Sequence, residues 1–192
     1  MARIPYPPPS QFPPISASQP PVNTIKLLSH SPSTVTHWTA IGTAHYRELQ
    51  LPKRLRELTI LYCAAKFQSA YEWDHHVIVS AKILTEQEWN VIKRAFEGVG
   101  NIGTGVQSFF REGGGKDVFP ERERILLKFL EEVTSEPTVT DQLWEEVQGK
   151  FSTREIVEVM SLQHYKERTM LGTVLQVDMD EFALKEKVKA KL

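Results

Sequence analysis

The densest run of ionisable and aromatic groups in the chain is Ser69-Ala70-Tyr71-Glu72-Trp73-Asp74-His75-His76. On a helix advancing about 100° per residue, Ser69, Glu72 and His76 fall within about 60° of one another. Glu72 and His76 are an i, i+4 pair whose side chains can touch, and His75 lies on the other flank of Glu72. Trp73 and Val77 form the adjoining apolar stripe, which can shield the pair from water. A carboxylate against an imidazole beside apolar walls is an acid/base couple suited to neutral pH. The same spacing also serves a solvated helix face on which the histidines do no chemistry. Spacing alone leaves both open.

Other chemistry is less well provided for. Glu72-x-x-His75 has the spacing of half a di-iron carboxylate site, which needs a second such pair and two further glutamates on facing helices. The chain has no second Glu-x-x-His and no His-Glu-x-x-His. A mononuclear site from Glu72, His75 or His76 with a distant ligand such as His164 is the remaining option, and no metal is expected. His30, His37 and His45, spaced by seven and eight residues, could share one helix-facing line or be ordinary packed or surface histidines. His164-Tyr165, with Lys166 and Arg168 beside them, could meet an anionic substrate or form a solvated face. Cys63 lies in an apolar helical run and reads as a small core residue rather than a nucleophile.

The elements that must position these groups are helices. Leu51, Leu55, Leu58, Tyr62 and Ala65 recur at steps of four, three, four and three, one helical face over residues 53–66. Ser31-Pro32 is a cap-then-N1 pair opening a segment over 32–48. A further helix is expected over 70–83. Thr85 with Glu88 makes a capping box for the next, to about 96. Pro120 opens a helix over 121–133 with Ile125, Phe129 and Leu130 inward, and Thr140 caps one over 141–147. Ser152 with Glu155 makes a second capping box, for a long helix to about 175. The Lys/Glu-rich tail from Asp180 is expected helical and exposed. No persuasive alternating strand pattern appears, so the fold class is all-α.

Composition closes other routes. With 192 residues, 23 basic and 24 acidic, the net charge of −1 gives no footprint for nucleic acid. No run of 18 apolar residues exists to span a membrane. The single cysteine can form neither an internal disulfide nor a Cys-x-x-Cys pair. Residues 1–21 hold eight of the twelve prolines and one charge, Arg3, which forbids the apolar helix of a secretory signal. A cytoplasmic protein is expected. That segment favours extended polyproline II, an arm along its own domain or a neighbouring subunit, with a docking peptide as the alternative. Residues 98–116 hold seven of the ten glycines. Gly98-Val99-Gly100-Asn101-Ile102-Gly103 matches the dinucleotide fingerprint but lacks its preceding strand, so a surface loop is expected. Phe109 and Phe110 in that loop either fold over a pocket as a lid or anchor the loop to the core.

Leu51-Pro52-Lys53-Arg54-Leu55-Arg56-Glu57-Leu58-Thr59-Ile60-Leu61, followed by Tyr71-Glu72-Trp73-Asp74-His75-His76, resembles the carboxymuconolactone decarboxylase family of the alkylhydroperoxidase-D-like all-α superfamily. The specific part spans residues 51–81, and a weaker likeness runs from Arg3-Ile4-Pro5-Tyr6-Pro7 to Asp178. The resemblance is to a cysteine-lacking branch, common in fungi, that often accompanies small-molecule biosynthesis. The superfamily's peroxidases use a glutamate, then Cys-x-His-Cys twelve residues on, then a histidine four further. On this chain the glutamate matches Glu57 and the closing histidine His76. Ser69 and Glu72 stand in the cysteine positions and Tyr71 in that of the internal histidine. Thiol peroxidase chemistry by that route is excluded, because disulfide exchange needs thiolates.

The resemblance therefore implies an alkylhydroperoxidase-D-like helical bundle over 22–178 with a proline-rich extended arm over 1–21. A glycine-rich insertion over 98–118 and a charged tail over 179–192 complete the expected organisation. It implies a cofactor-independent lyase using acid/base chemistry on a small carboxylated cyclic or lactone substrate. Glu57, Tyr71, Glu72 and His76 would be catalytic, and Ser69, Trp73, His75 and Arg56 would bind substrate. Arg56 or Lys66 could hold the carboxylate, and Arg56 could equally pair with Glu57. A proton-transfer isomerase or cyclase, and a non-catalytic oligomeric binding protein, are the alternatives. The expected partners are a small molecule and further copies of the chain, as a trimer or hexamer, with no nucleic acid and no membrane.

Overall fold

The computed structural model describes residues 2–13, 21–96, 108–136 and 138–190. Among them there is no strand, so the all-α class is observed. The helices are α1 (Asn23–Leu28), α2 (Pro32–Arg47), α3 (Lys53–Lys66), α4 (Ala70–Ser80) and α5 (Glu86–Arg94), then α6 (Glu121–Ser135), α7 (Asp141–Lys150), α8 (Thr153–Ser161), α9 (His164–Val174) and α10 (Glu181–Ala190). The dinucleotide fingerprint at Gly98–Gly103 and part of the proline-rich segment lie outside the described residues.

α3 is the axis of the bundle. Leu55, Leu58, Ile60, Leu61, Tyr62, Cys63 and Ala64 are all buried, and the helix packs against α4, α5, α6 and α9. A helix apolar around most of its circumference belongs inside a core. At its start Arg54 ties two neighbours together, donating from Nε to Glu123 of α6 at 2.7 Å and from Nη2 to Glu88 of α5. Glu88 also completes the expected capping box by accepting from the Thr85 backbone N–H at 2.7 Å. Glu158 of α8 accepts from the backbone of Gln50 and Leu51 at 3.1 and 2.7 Å, which fixes the chain's entry into α3.

The turn from α3 to α4 sets the geometry of the site. Ser69 N–H donates to Ala64 carbonyl at 2.9 Å and Gln68 N–H to Ala65 carbonyl at 3.1 Å, the two bonds of a Schellman motif. Gln68 takes the left-handed conformation this requires, at φ 53°. Ser69 then caps α4, its Oγ accepting from Glu72 N–H at 3.4 Å.

Three expectations are corrected. α4 stops at Ser80 rather than near 83. Ser80 Oγ bonds back to Val77 carbonyl at 3.2 Å and accepts the Trp89 indole N–H at 3.0 Å. The long helix after Ser152 is broken into α8 and α9. Ser161 Oγ donates to Glu158 carbonyl at 2.7 Å, and the chain tightens into i→i+3 bonds at Gln163 and Tyr165. A serine bonding back along its helix competes with the ladder and bends it. The tail is not simply exposed: Asp180 is buried and Ala183 of α10 packs inward.

The N-terminal residues lie across the end of α9, with Arg3 N–H donating to Leu175 carbonyl at 2.8 Å and Tyr6 Oη to Asp178 at 3.3 Å. In the glycine-rich stretch, residues 109–118 form hydrogen-bonded turns. Phe110 is buried beside Tyr62, their ring centres 6.0 Å apart, and Phe109 packs edge-on to Phe110 at 5.0 Å. The two phenylalanines anchor the turn to the core.

Gly114 and Gly149 should respond oppositely to alanine. A Cβ at Gly114 would lie 2.3 Å from the Phe109 ring, whereas one at Gly149, inside α7, meets nothing within 4 Å. Gly114→Ala is expected to lose about 2 kcal/mol by overpacking, and Gly149→Ala to gain about 0.5–1 kcal/mol through helix propensity. Urea denaturation of both variants checks the pair, and a stabilised Gly114→Ala would contradict the close packing of the turn.

Candidate active site

The site is a row of five ionisable side chains drawn from three helices. Glu57 on α3 faces α4, and His76 Nδ1 lies 2.7 Å from its Oε2. One turn earlier on α4, Glu72 Oε2 lies 3.6 Å from the other imidazole nitrogen, Nε2. Each carboxylate is backed by an arginine. Arg56 donates to Glu57 Oε1 from Nε at 3.0 Å and pairs through Nη2 at 2.9 Å. Arg168, from α9, donates from Nε to Glu72 Oε1 at 3.2 Å. The order is cation, anion, imidazole, anion, cation.

Nearly all of this row is out of water: Glu57 is 0%, Glu72 1% and His76 5% exposed. Burial pushes Glu57 up, but the hydrogen bond from His76 and the Arg56 charge win and hold it below the usual carboxylate range. An ionised Glu57 can only accept, so His76 carries a proton on Nδ1. Nε2 is then the nitrogen that gives or takes a proton, as in a carboxylate-oriented histidine base. At 3.6 Å it is within ion-pair range of Glu72 but not hydrogen-bonded to it. Tyr165 of α9 closes one side, its ring edge-on to His76 with centres 5.4 Å apart.

The structure brings Glu57, Glu72 and His76 together and places the other expected residues around them. Arg56 is committed: besides Glu57 it donates to Tyr46 carbonyl at 2.9 Å and lies over the Tyr46 ring at 4.5 Å. It positions Glu57. Ser69 is the α4 cap. Trp73 is half-buried and packs against the core. Tyr71 and His75 send their polar ends elsewhere: Tyr71 Oη donates to Asp180 at 2.5 Å, and His75 Nε2 sits 3.1 Å from the same carboxylate. Asp180 also accepts from Asn23 N–H at 3.0 Å, so this cluster ties α1 and the C-terminal segment to α4. Lys66 donates to Ser135 Oγ at 2.7 Å on α6, and burial brings its amine down to about 8.

Two disfavoured chemistries meet physical obstacles. Cys63 is wholly buried, and burial pushes its thiol up to about 12, far from a thiolate at neutral pH. Glu72 and His75 do not converge as a ligand pair, because Glu72 faces Arg168 and His76 while His75 faces Asp180. Among the described residues no group of three His, Cys, Asp or Glu side chains is placed to hold a metal.

In the sequence Tyr165 and Arg168 stand beside His164 as a group that could meet an anionic substrate or form a solvated face, and Asp180 stands only as the start of the tail. Arg168 meets Glu72 across 96 residues, and Asp180 meets Tyr71 across 109. No local spacing signals such pairs. Gly172 is a weak trace of the first. A Cβ there would lie 3.3 Å from Ser69 Oγ, so glycine lets α9 approach the start of α4 closely.

The chain matches no protein-family model and no curated protein. Its fold is similar to the crystal structure of a protein of unknown function from Agrobacterium tumefaciens, proposed there to be the antioxidant defence protein AhpD. The TM-score is 0.62 at 20% identity, over 80% of this chain and 94% of that one. At that identity the likeness shows the fold, and the fold is AhpD-like.

The buried row has a pH signature. A carboxylate whose folded pKa lies below its usual 4.5 stabilises the fold fully above that value, and the contribution is lost as pH falls through the folded pKa. Glu57→Gln should therefore be less stable at pH 7 by about 3 kcal/mol, since it leaves two buried partners uncompensated. It should also lose stability less steeply than the parent below about pH 4.5. Denaturant midpoints from pH 7 to pH 3 measure both. Parallel curves for the two proteins would contradict an ionised, paired Glu57.

Proposed function

We propose that the protein is a cofactor-independent, decarboxylase-like lyase that acts by proton transfer on a small carboxylated cyclic or lactone substrate. The observation that carries this reading is the His76 imidazole held between the carboxylates of Glu57 and Glu72, in an AhpD-like fold whose one thiol is buried away from it.

In the reaction envisaged, the bond from the ring to the substrate carboxylate breaks and CO2 leaves. The electron pair passes into a conjugated carbonyl, giving a dienolate. His76 delivers a proton from Nε2 to carbon, and solvent restores it. Glu57 holds the ring's tautomer and balances the charge of the imidazolium. Glu72, held by Arg168, faces the same nitrogen and can relay the proton. Buried preorganised charges act more strongly than they would in water and need no rearrangement during the reaction. Tyr71, Ser69, Trp73 and His75 support this machinery from behind in this reading, as a cap, as packing and as the Asp180 cluster.

A homo-oligomer belongs to the same proposal. Ile41 and Tyr46 on α2, with Val157 and Met160 on α8, are large apolar side chains left exposed, the kind of surface that a further copy covers.

The test is CO2 release and ultraviolet change with 4-carboxymuconolactone, comparing the parent with Glu72→Gln and His76→Ala. The expected result is turnover by the parent, a loss of at least about 100-fold in both variants, and unchanged helical circular dichroism. An ultraviolet change without CO2 would replace the lyase with a proton-transfer isomerase. Variants that alter stability but no turnover of any candidate substrate would replace it with a binding protein.

A further inference from the structure

His75 is set between two acceptors. Its Nδ1 lies 2.8 Å from the Tyr71 carbonyl, one turn back on α4, and its Nε2 lies 3.1 Å from Asp180 Oδ2, in the segment that leads into α10. A carbonyl only accepts, so Nδ1 donates to it. At the other end donors converge on Asp180. The Asn23 N–H meets Oδ1 at 3.0 Å, and the Tyr71 hydroxyl meets Oδ2 at 2.5 Å. A carboxylate so surrounded accepts throughout, so Nε2 donates to it as well. An imidazole that donates from both nitrogens is an imidazolium. A neutral His75 would have to turn a bare lone pair on the carbonyl or on the carboxylate and lose one of the two bonds. Water is poorly placed to replace it, because the His75 side chain is 12% and that of Asp180 7% exposed.

The apolar hold on α10 is slight among its described side chains. Ala183 is buried, but Phe182 and Leu184 are 54% and 49% exposed. Phe182 meets the His75 ring edge-on, with centres 5.5 Å apart. The Lys185–Glu181 pair lies in solvent. A helix of ten residues is marginal in water once it leaves the bundle.

The charges around His75 favour the proton. Burial pushes the imidazole down, but the bonds to Asp180 and Tyr71 and the charges of Asp180 and Glu72 hold it above the ordinary 6.5. Glu72 is itself paired with Arg168 of α9 and faces His76. Burial and Asp180 raise the Tyr71 phenol, which therefore stays protonated. Asn23 of α1 brings no charge. Asp178 faces Ala2 and Tyr6 of the N-terminal residues instead.

We propose that His75 and Asp180 form a proton-operated latch: the imidazolium docks α10 on α4, and loss of its proton releases the helix. A histidine whose folded value lies above 6.5 contributes fully below that pH, and the contribution is lost as pH rises through the folded value. The latch therefore opens on the alkaline side. It does not rest on the lyase reading.

The test is a nuclear magnetic resonance titration of the full chain from pH 6 to pH 9.5. Protons are expected on both His75 nitrogens at pH 6, one of them lost with a midpoint above 6.5. The amides of residues 182–186 should move from helical to random-coil positions with that same midpoint and lose at least about tenfold in exchange protection, corrected for pH. In His75→Gln those amides should show no step in this range. In Asp180→Asn the His75 midpoint should fall below 6.5. A His75 protonated on one nitrogen at pH 6, α10 amides that stay helical through the His75 step, or a step that survives in His75→Gln would each overturn the latch. The parent titration decides by itself if Asp180→Asn fails to fold.

Discussion

The hydrogen bond from His76 to Glu57, 2.7 Å across the contact between α3 and α4, joins two side chains that water scarcely reaches. Removing a charge from water costs several kcal/mol, and a buried ion pair seldom returns more than an apolar pair of the same shape would. The row from Arg56 to Arg168 is tolerable only because the charges alternate and each carboxylate has a partner on both sides. Apolar residues at these positions would serve stability as well. Under the proposed function the row is preorganised proton-transfer equipment, where the same burial sharpens every electrostatic interaction.

Much of the remaining architecture serves to hold that row in register. The Schellman turn at Gln68 and the cap at Ser69 fix α4 against α3, which sets the Glu57–His76 distance. The bend at Ser161 separates α9 from α8 and turns α9 toward α4, where Gly172 permits close approach and Arg168 reaches Glu72. Asp180 fastens α4 from the opposite side through Tyr71 and His75. Those two residues stand inside the most suggestive stretch of sequence, yet their polar ends serve packing between distant segments.

What the sequence disclosed follows the range of the forces involved. Capping boxes at Thr85 and Ser152 and the apolar face of α3 are local patterns, and they appear as expected. The bend at Ser161 was not legible, because a serine in a helix bonds backward or outward with no difference in sequence. The Glu72–His76 pair follows from i, i+4 spacing. Glu57, nineteen residues from His76, entered only through the resemblance to a known motif. Arg168 and Asp180 were out of reach, since opposite charges on separate helices leave no periodic trace.

Nitrogen-15 spectra of the histidine side chains test the central claim most directly, namely that Glu57 fixes the His76 tautomer and leaves Nε2 facing Glu72. The account predicts a hydrogen-bonded, slowly exchanging proton on His76 Nδ1 that disappears in Glu57→Gln, and a change at Nε2 alone in Glu72→Gln. A neutral His76 protonated on Nε2, or one indifferent to Glu57, would contradict it.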